Sequence, residues 1–164
     1  MAATDADTDS GTGVGAPGPA PGGRFEGTEH VYPLRVYHED TDAGGIVYYA
    51  NYLKFAERAR TEMMRGAGIS HGALLDGHDA AFVVSRCVVD YRRPALLDDV
   101  IEVRTTIGTV AGAHIEAVQR VERAGELLAS IGLRLGCVGR DGRAVRLPAP
   151  LRQALSPLAP AGQR

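Results

Sequence analysis

Residues 49–65 carry an apolar pattern that only a helix satisfies. Tyr52, Phe55, Ala56, Ala59 and Met63 fall at i, i+3, i+4, i+7 and i+11. Lys54, Glu57, Arg58, Thr61 and Glu62 fill the remaining positions. At about 1.5 Å per residue the helix is roughly 25 Å long. Gly66 supplies a stop, and Arg65 suits the negative end of the dipole. It is the one long helix the sequence predicts, so the fold must pack this single stripe against something else.

That something is a sheet. Residues 31–38 read as a first strand, with Pro33 near its start, where an edge position tolerates it. Residues 81–93 are rich in Val, Phe and Tyr and end at Pro94. In residues 100–110, Ile101, Val103, Thr105 and Ile107 take one face and Glu102, Arg104 and Thr106 the other. Residues 113–123 alternate less regularly. Leu127, Ala129, Ile131, Leu133, Leu135 and Cys137 form a further face. Ala111-Gly112 and Ala124-Gly125 have hairpin length, and Asp141-Gly142 is a third turn signal. Residues 148–155 suggest a short terminal helix. A strand, a long helix and a run of antiparallel strands make an α+β fold, one helix on one antiparallel sheet. Such a sheet must protect its edges, and pairing two sheets edge to edge across a dimer is one solution.

The 164 residues suit one domain. Residues 1–28 are Gly-, Pro- and Ala-rich and cannot offset their ordering entropy by burial, so a disordered tail is expected there. The domain is expected over 29–156, with a C-terminal tail over 157–164. The start has neither the cationic nor the apolar part of a secretory signal, and Asp5, Asp7 and Asp9 argue against a transit peptide. No run of 18 apolar residues predicts a membrane span. A net charge of −2 with interspersed signs leaves no footprint for nucleic acid. Cys87 and Cys137 lack metal-type spacing and read as buried, reduced thiols of a cytoplasmic protein.

The chemistry concentrates just before the helix, in the run Glu39-Asp40-Thr41-Asp42-Ala43-Gly44-Gly45-Ile46-Val47-Tyr48-Tyr49-Ala50-Asn51-Tyr52. Two carboxylates precede a Gly-Gly turn and a helix start. An acid there can act on water or on a carbonyl carbon, while backbone N–H groups hold the developing oxyanion. Spacing alone leaves Asp40 and Asp42 equal candidates, and either also suits a turn or a cap. Gly44 and Gly45 make a turn whose missing side chains allow close approach to the backbone. Asn51 is the N-cap by local rules. Tyr48, Tyr52 and Phe55 read as core or interface packing.

Two other signals are weaker. Gly68-Ile69-Ser70-His71-Gly72 matches G-x-S-x-G, but the serine elbow needs a preceding strand and a following helix. His38, Glu39, Asp40 and Asp42 suggest a metal, yet neighbours on a strand point to opposite faces, and a calcium loop counted from Asp40 has Asn51 where it needs Glu. No metal is expected.

The stretch from Arg35 through Tyr52, continuing to Glu57-Arg58-Ala59-Arg60-Thr61-Glu62, resembles the hotdog-fold acyl-CoA thioesterases of the YbgC and 4-hydroxybenzoyl-CoA type. Ala81-Phe82-Val83-Val84 and Tyr91-Arg92-Arg93-Pro94-Ala95-Leu96-Leu97-Asp98-Asp99 extend the likeness, which covers about residues 32–138. The resemblance implies one long central helix wrapped by a curved antiparallel sheet. It implies homodimers, often paired into tetramers, with active sites at the dimer interface. It makes Asp42 the catalytic carboxylate and the Tyr49 backbone N–H the group that polarises the thioester carbonyl, with Gly44, Gly45, Val47 and Tyr48 around the substrate. Asp40 is left as a structural acceptor. Hydrolysis of acyl- or aroyl-CoA to free acid and coenzyme A is the implied reaction, without a cofactor, since coenzyme A belongs to the substrate. Acyl carrier protein is an implied partner. The alternative is a non-catalytic acyl-thioester binding module linked to the Tol-Pal envelope system.

One departure matters. The YbgC type usually carries His where this chain has Tyr49, and the 4-hydroxybenzoyl-CoA type carries Tyr. The backbone donor survives the change, so substrate class is affected more than reaction type. Hotdog hydratases need His five residues after their Asp, and Val47 stands there. The phosphates of coenzyme A call for basic residues, for which Arg86, Arg92, Arg93, Arg134, Arg140 and Arg143 are candidates.

Overall fold

A computed structural model of the chain describes residues 22–69 and 80–160. Helix α1 spans Asn51–Gly66, sixteen residues. It starts two residues later than the apolar pattern predicts, because Tyr48 and Tyr49 still belong to the preceding loop. The expected stripe of Tyr52, Phe55, Ala56, Ala59 and Met63 is buried along its length. The helix runs through Gly66 rather than stopping before it. Gly66 has a packing reason instead: a Cβ there would lie 3.0 Å from the ring of Phe25.

The strands are β1 (Arg24–Glu26), β2 (Glu29–Arg35), β3 (Ala80–Tyr91), β4 (Val100–Val110), β5 (His114–Arg123) and β6 (Glu126–Gly139). They form one antiparallel sheet in the order β1-β2-β4-β5-β6-β3. β1 lies inside the stretch expected as tail. It pairs with β2 and sets the Phe25 ring beside Gly66 at the end of α1, while all three of its residues stay exposed. The first strand ends at Arg35, and His38–Asp40 turns into a short 3-10 helix. Pro33 fits because β1 pairs only with Glu29–Val31, so β2 has a single neighbour, β4, where Pro33 stands.

The alternation in β4 is as predicted, with Ile101, Val103, Thr105 and Ile107 inward. In β6 a register shift opposite Val121 and Glu122 turns Leu128 into the core beside Ala129 and leaves Leu127 exposed. The hairpin between β5 and β6 turns on Ala124 and Gly125, both at positive φ, as a two-residue turn of the primed type requires.

Two apolar clusters lie between helix and sheet. One joins Tyr52, Phe55 and Ala59 to Ile101, Val103 and Ile131. The other joins Met63 and Met64 to Ile107, Ile115 and Leu155. Leu155 comes from α2 (Ala149–Leu155), the short terminal helix. The chain stays packed beyond the expected domain end, since Ala159 is buried. A polar seam threads this core. The Arg60 guanidinium donates to Gln119 Oε1 at 2.7 Å, and Gln119 Nε2 donates to the Ala56 carbonyl and Thr105 Oγ1 at 2.9 and 3.0 Å. Every one of these buried groups is satisfied, which removes the cost of taking them out of water.

Among the described residues β3 is the longer of the sheet's two edge strands, β1 being the other. It is twelve residues long and exposes Val83, Val84, Val88 and Tyr91. Cys87 is exposed on it, contrary to the expected burial, and Cys137 is buried.

Candidate active site

The site is a loop between β2 and α1, fixed at both ends by backbone bonds. At its base, the Asp40 carboxylate accepts the Tyr37 N–H at 2.9 Å and is itself buried. The Asp40 carbonyl accepts the Tyr48 N–H and the Asn51 side-chain amide, each at 2.9 Å. Asn51 is therefore a tie between helix start and loop, and Ala50 takes the cap position without a side-chain bond. Thr41 bridges Val47, and the Val47 N–H donates to the Ala95 carbonyl at 2.9 Å. These contacts lash the loop to the segment that follows β3.

Asp42 stands at the exposed apex. Its backbone N–H donates to the Ile46 carbonyl and its carbonyl accepts the Gly45 N–H, both at 3.0 Å. Its Oδ1 accepts the Gly44 N–H at 2.7 Å. Among the described residues no other donor reaches this carboxylate, so Oδ2 is left for water or substrate. Gly45 has φ of 74°, a conformation that other residues reach only at a cost. A Cβ on Gly44 would lie 3.0 Å from Asp42 Oδ1. Both glycines are thus needed to shape the carboxylate's surroundings.

The two candidate acids separate here: Asp40 is a buried structural acceptor, and Asp42 is exposed with a free oxygen. Tyr49 precedes the cap residue and is 61% exposed. Among the described residues, no hydrogen bond of the loop uses its N–H. Its carbonyl accepts the Tyr91 hydroxyl at 2.8 Å, which orients the peptide from β3. Tyr48 packs its ring 4.7 Å from that of Tyr49. The Tyr49 hydroxyl pushes the Tyr48 phenol above its usual range, and the Asp42 carboxylate adds to the shift in a smaller way. Tyr48 is exposed rather than packed in the core, whereas Tyr52 and Phe55 are buried as expected.

The Val47 side chain, expected around the substrate, faces the core. It is 3% exposed and packs in the first apolar cluster, because alternation past the Gly-Gly turn points it inward. Ser70 and the rest of its G-x-S-x-G match beyond Ile69 lie outside the described residues. Among the described residues, no group of three or more His, Cys, Asp or Glu is arranged to hold a metal ion.

Sequence reasoning does not single out Tyr91. Its ring meets Tyr49 and Tyr52 edge-on at 6.4 and 5.5 Å, and burial pushes its phenol above the usual range. Pro94 marked the end of the strand in the sequence, but nothing there placed that end beside the loop. Of the basic candidates, Arg93 pairs with Glu126 and Arg134 with Glu116. Arg143 faces Asp141 at 3.8 Å. Arg86 and Arg92 are exposed with no carboxylate partner among the described residues.

Behind the loop, the Asp99 carboxylate accepts the Leu96 N–H at 2.8 Å and the Arg123 guanidinium at 2.7 Å. Burial works to raise its pKa, but these two donors outweigh it and hold the carboxyl below its usual range.

The thioesterase-like superfamily profile matches residues 36–155. An acyl-CoA thioesterase YbgC of Haemophilus influenzae is 45% identical over 107 residues, which cover 65% of this chain and 79% of the relative. An acyl-CoA thioester hydrolase YbgC of Escherichia coli O6:H1 is 48% identical over 93 residues, covering 57% and 69%. The crystal structure of a probable thioesterase from Bartonella henselae superposes with a TM-score of 0.70 at 32% identity, covering 73% of this chain and 99% of that one. The matched span holds the pinned loop, α1 and β3 to β6, and the chain belongs to the thioesterase-like superfamily, as an enzyme of the hotdog fold.

Proposed function

We propose that the chain hydrolyses an acyl-CoA thioester to a free acid and coenzyme A, with Asp42 as the catalytic carboxylate and the Tyr49 N–H as the oxyanion donor. One observation carries this reading: an exposed carboxylate with one oxygen anchored and one open shares a rigid loop with an N–H the fold does not use. Two routes satisfy the chemistry. In one, Asp42 takes a proton from water, the hydroxide oxygen bonds to the carbonyl carbon, and the C–S bond breaks. The proton then passes from Asp42 to the leaving thiolate. In the other, Asp42 itself attacks, the thiolate leaves, and water cleaves the resulting mixed anhydride. In both, negative charge gathers on the former carbonyl oxygen, where a fixed donor is worth about 2.7–4 kcal/mol. The Tyr91 hydroxyl holds the carbonyl of the next peptide, Tyr49–Ala50, and so anchors the residue that carries the donor.

The reading includes a homodimer joined along β3. A long apolar edge with free backbone groups is stable in water only when it is covered. The exposed span from Val83 to Tyr91 is centred on Cys87, so a two-fold axis there covers it symmetrically. A cytoplasmic setting is part of the same reading; among the described residues no helix is long and apolar enough to cross a membrane.

Asp42→Asn tests the assignment. It keeps the shape and the Gly44 contact but removes the charge. Release of thiol from a panel of short-chain, long-chain and aromatic CoA thioesters is expected to fall by at least about a thousandfold with the oligomer intact. Near-normal turnover would sink the assignment. Single-turnover hydrolysis in labelled water separates the routes, since label in Asp42 marks the anhydride.

A further inference from the structure

Helix α1 starts later than its apolar pattern does, and the carbonyl of Tyr49 shows why. That carbonyl lies one step before the cap residue Ala50, where α-helical geometry assigns it to the N–H four residues on, that of Leu53. The bond is not made. The Leu53 N–H donates to the Ala50 carbonyl, three residues back, at 3.1 Å, and the Asn51 N–H donates to the Tyr48 carbonyl, also three back, at 2.8 Å. The first turn is therefore wound as tightly as a 3-10 turn. Among the described residues, the Tyr91 hydroxyl is the one donor on the Tyr49 carbonyl, at 2.8 Å.

That hydroxyl is itself firmly placed. Tyr91 ends β3, and the N–H groups of Arg92 and Arg93, which follow it, both donate to the Leu128 carbonyl, at 2.8 and 3.1 Å. The Tyr91 ring stands edge-on to Tyr52, and the buried Tyr52 is fixed in turn by the Ala95 N–H on its hydroxyl at 2.9 Å. Burial pushes the Tyr91 phenol above its usual range, so the hydroxyl keeps its proton, and its donor role, well beyond neutral pH. The peptide that carries the Tyr49 N–H is thus held twice. Its own carbonyl, that of Tyr48, accepts from Asn51, and the next peptide is held from the sheet by Tyr91.

We infer that Tyr91 is a positioning residue for the reaction: its hydroxyl keeps Tyr49 out of α1 and so fixes the pose of the Tyr49 N–H. The inference rests on the donor role proposed for that N–H, and adds the group on a different strand that sets it. Without the hydroxyl the Tyr49 carbonyl is left bare, and the Leu53 N–H is the donor that helical geometry offers it. Taking that bond turns the Tyr49–Ala50 peptide into the ladder. The dihedrals of Tyr49 change, and the N–H turns with them. A displacement of about 1 Å at a reacting centre can cost about a hundredfold in rate.

Tyr91→Phe tests this on the full chain. It keeps the ring and its edge contacts and removes one hydrogen bond, so the melting temperature is expected to fall by no more than about 4 °C. On the CoA thioester that the unaltered chain turns over fastest, kcat is expected to fall by about ten- to a hundredfold, with KM within about twofold. A crystal structure of the variant is expected to show the Leu53 N–H on the Tyr49 carbonyl and an earlier start to α1. Unchanged kcat, or a first turn that stays as it is, would overturn the inference.

Loss of folded protein also lowers an apparent kcat, so a second measurement reads the donor itself. An acyl-CoA analogue with a methylene in place of the thioester sulfur keeps the carbonyl and has no thiolate to lose. It is labelled at the carbonyl carbon and its infrared stretch is recorded when bound. The band is expected at lower frequency than in buffer, because a fixed N–H draws charge onto the oxygen. In Tyr91→Phe it is expected to move back toward the buffer position. Only bound molecules contribute, whatever fraction of the chain is folded. A band lowered equally in both proteins would overturn the positioning role and leave the Tyr49 donor standing. A band not lowered in the unaltered chain would overturn the donor, and this inference with it.

Discussion

Gly44 shows how finely a single residue sets the site. Its N–H anchors Asp42 Oδ1, and its missing Cβ leaves the carboxylate its place. Gly44→Ala puts a methyl group 3.0 Å from that oxygen, closer than ordinary contact, and the carboxylate must turn away. Displacement of a reacting group by about 1 Å can cost about a hundredfold, so kcat is expected to drop ten- to a hundredfold while the melting temperature barely moves. Steady-state kinetics beside a thermal melt check this. The sequence made the two acids legible and their resemblance to a family favoured Asp42, but it could not separate their roles by spacing. The separation comes from burial: Asp40 faces inward onto the Tyr37 N–H, and Asp42 faces out. The burial of the Val47 side chain and the exposure of Tyr48 were not legible, because a turn, unlike a strand or helix, has no period to extend.

The element that steadies the site is the segment from Ala95 to Asp99, between β3 and β4. It holds Val47 from one side, and its own turn is closed by the Asp99 carboxylate on the Leu96 N–H and Arg123. Asp99 has a folded pKa below its unfolded one. The stabilisation is therefore fully present above the unfolded value, near 4, and is lost as pH falls through the folded one. Asp99→Asn is expected to lower the melting temperature by roughly 2–4 °C at pH 7, the equivalent of about 1 kcal/mol. That gap should close as the wild type is acidified below about pH 4, which melts of both proteins across pH would show. Strong periodicity made α1 and β4 readable to within two residues. β1 and the Leu128 bulge were not, since each depends on a distant partner: the end of α1 for Phe25, and the β5 register for Leu128.

At the scale of the whole molecule, β3 decides what the catalyst is. Its apolar face and free backbone edge suit a second copy, and Cys87 lies at the centre of that span. Antiparallel partners directly opposite stand about 4.5–5.5 Å apart at Cα, within the span of a disulfide. Mild oxidation is therefore expected to join two chains through Cys87, giving a covalent dimer on non-reducing gels that Cys87→Ser abolishes. Buried Cys137 provides the internal control. A chain that stays monomeric by light scattering and resists this cross-link would remove the β3 pairing. The sequence pointed to a sheet edge in need of cover; it could not name which edge, because strand order is set by long-range pairing.

The free edge has a further consequence. In the proposed dimer, with each working site divided between two copies, the chain's output is set by mass action. Dilution below the dimer dissociation constant would silence it without unfolding a residue, and specific activity would rise with the amount of protein made.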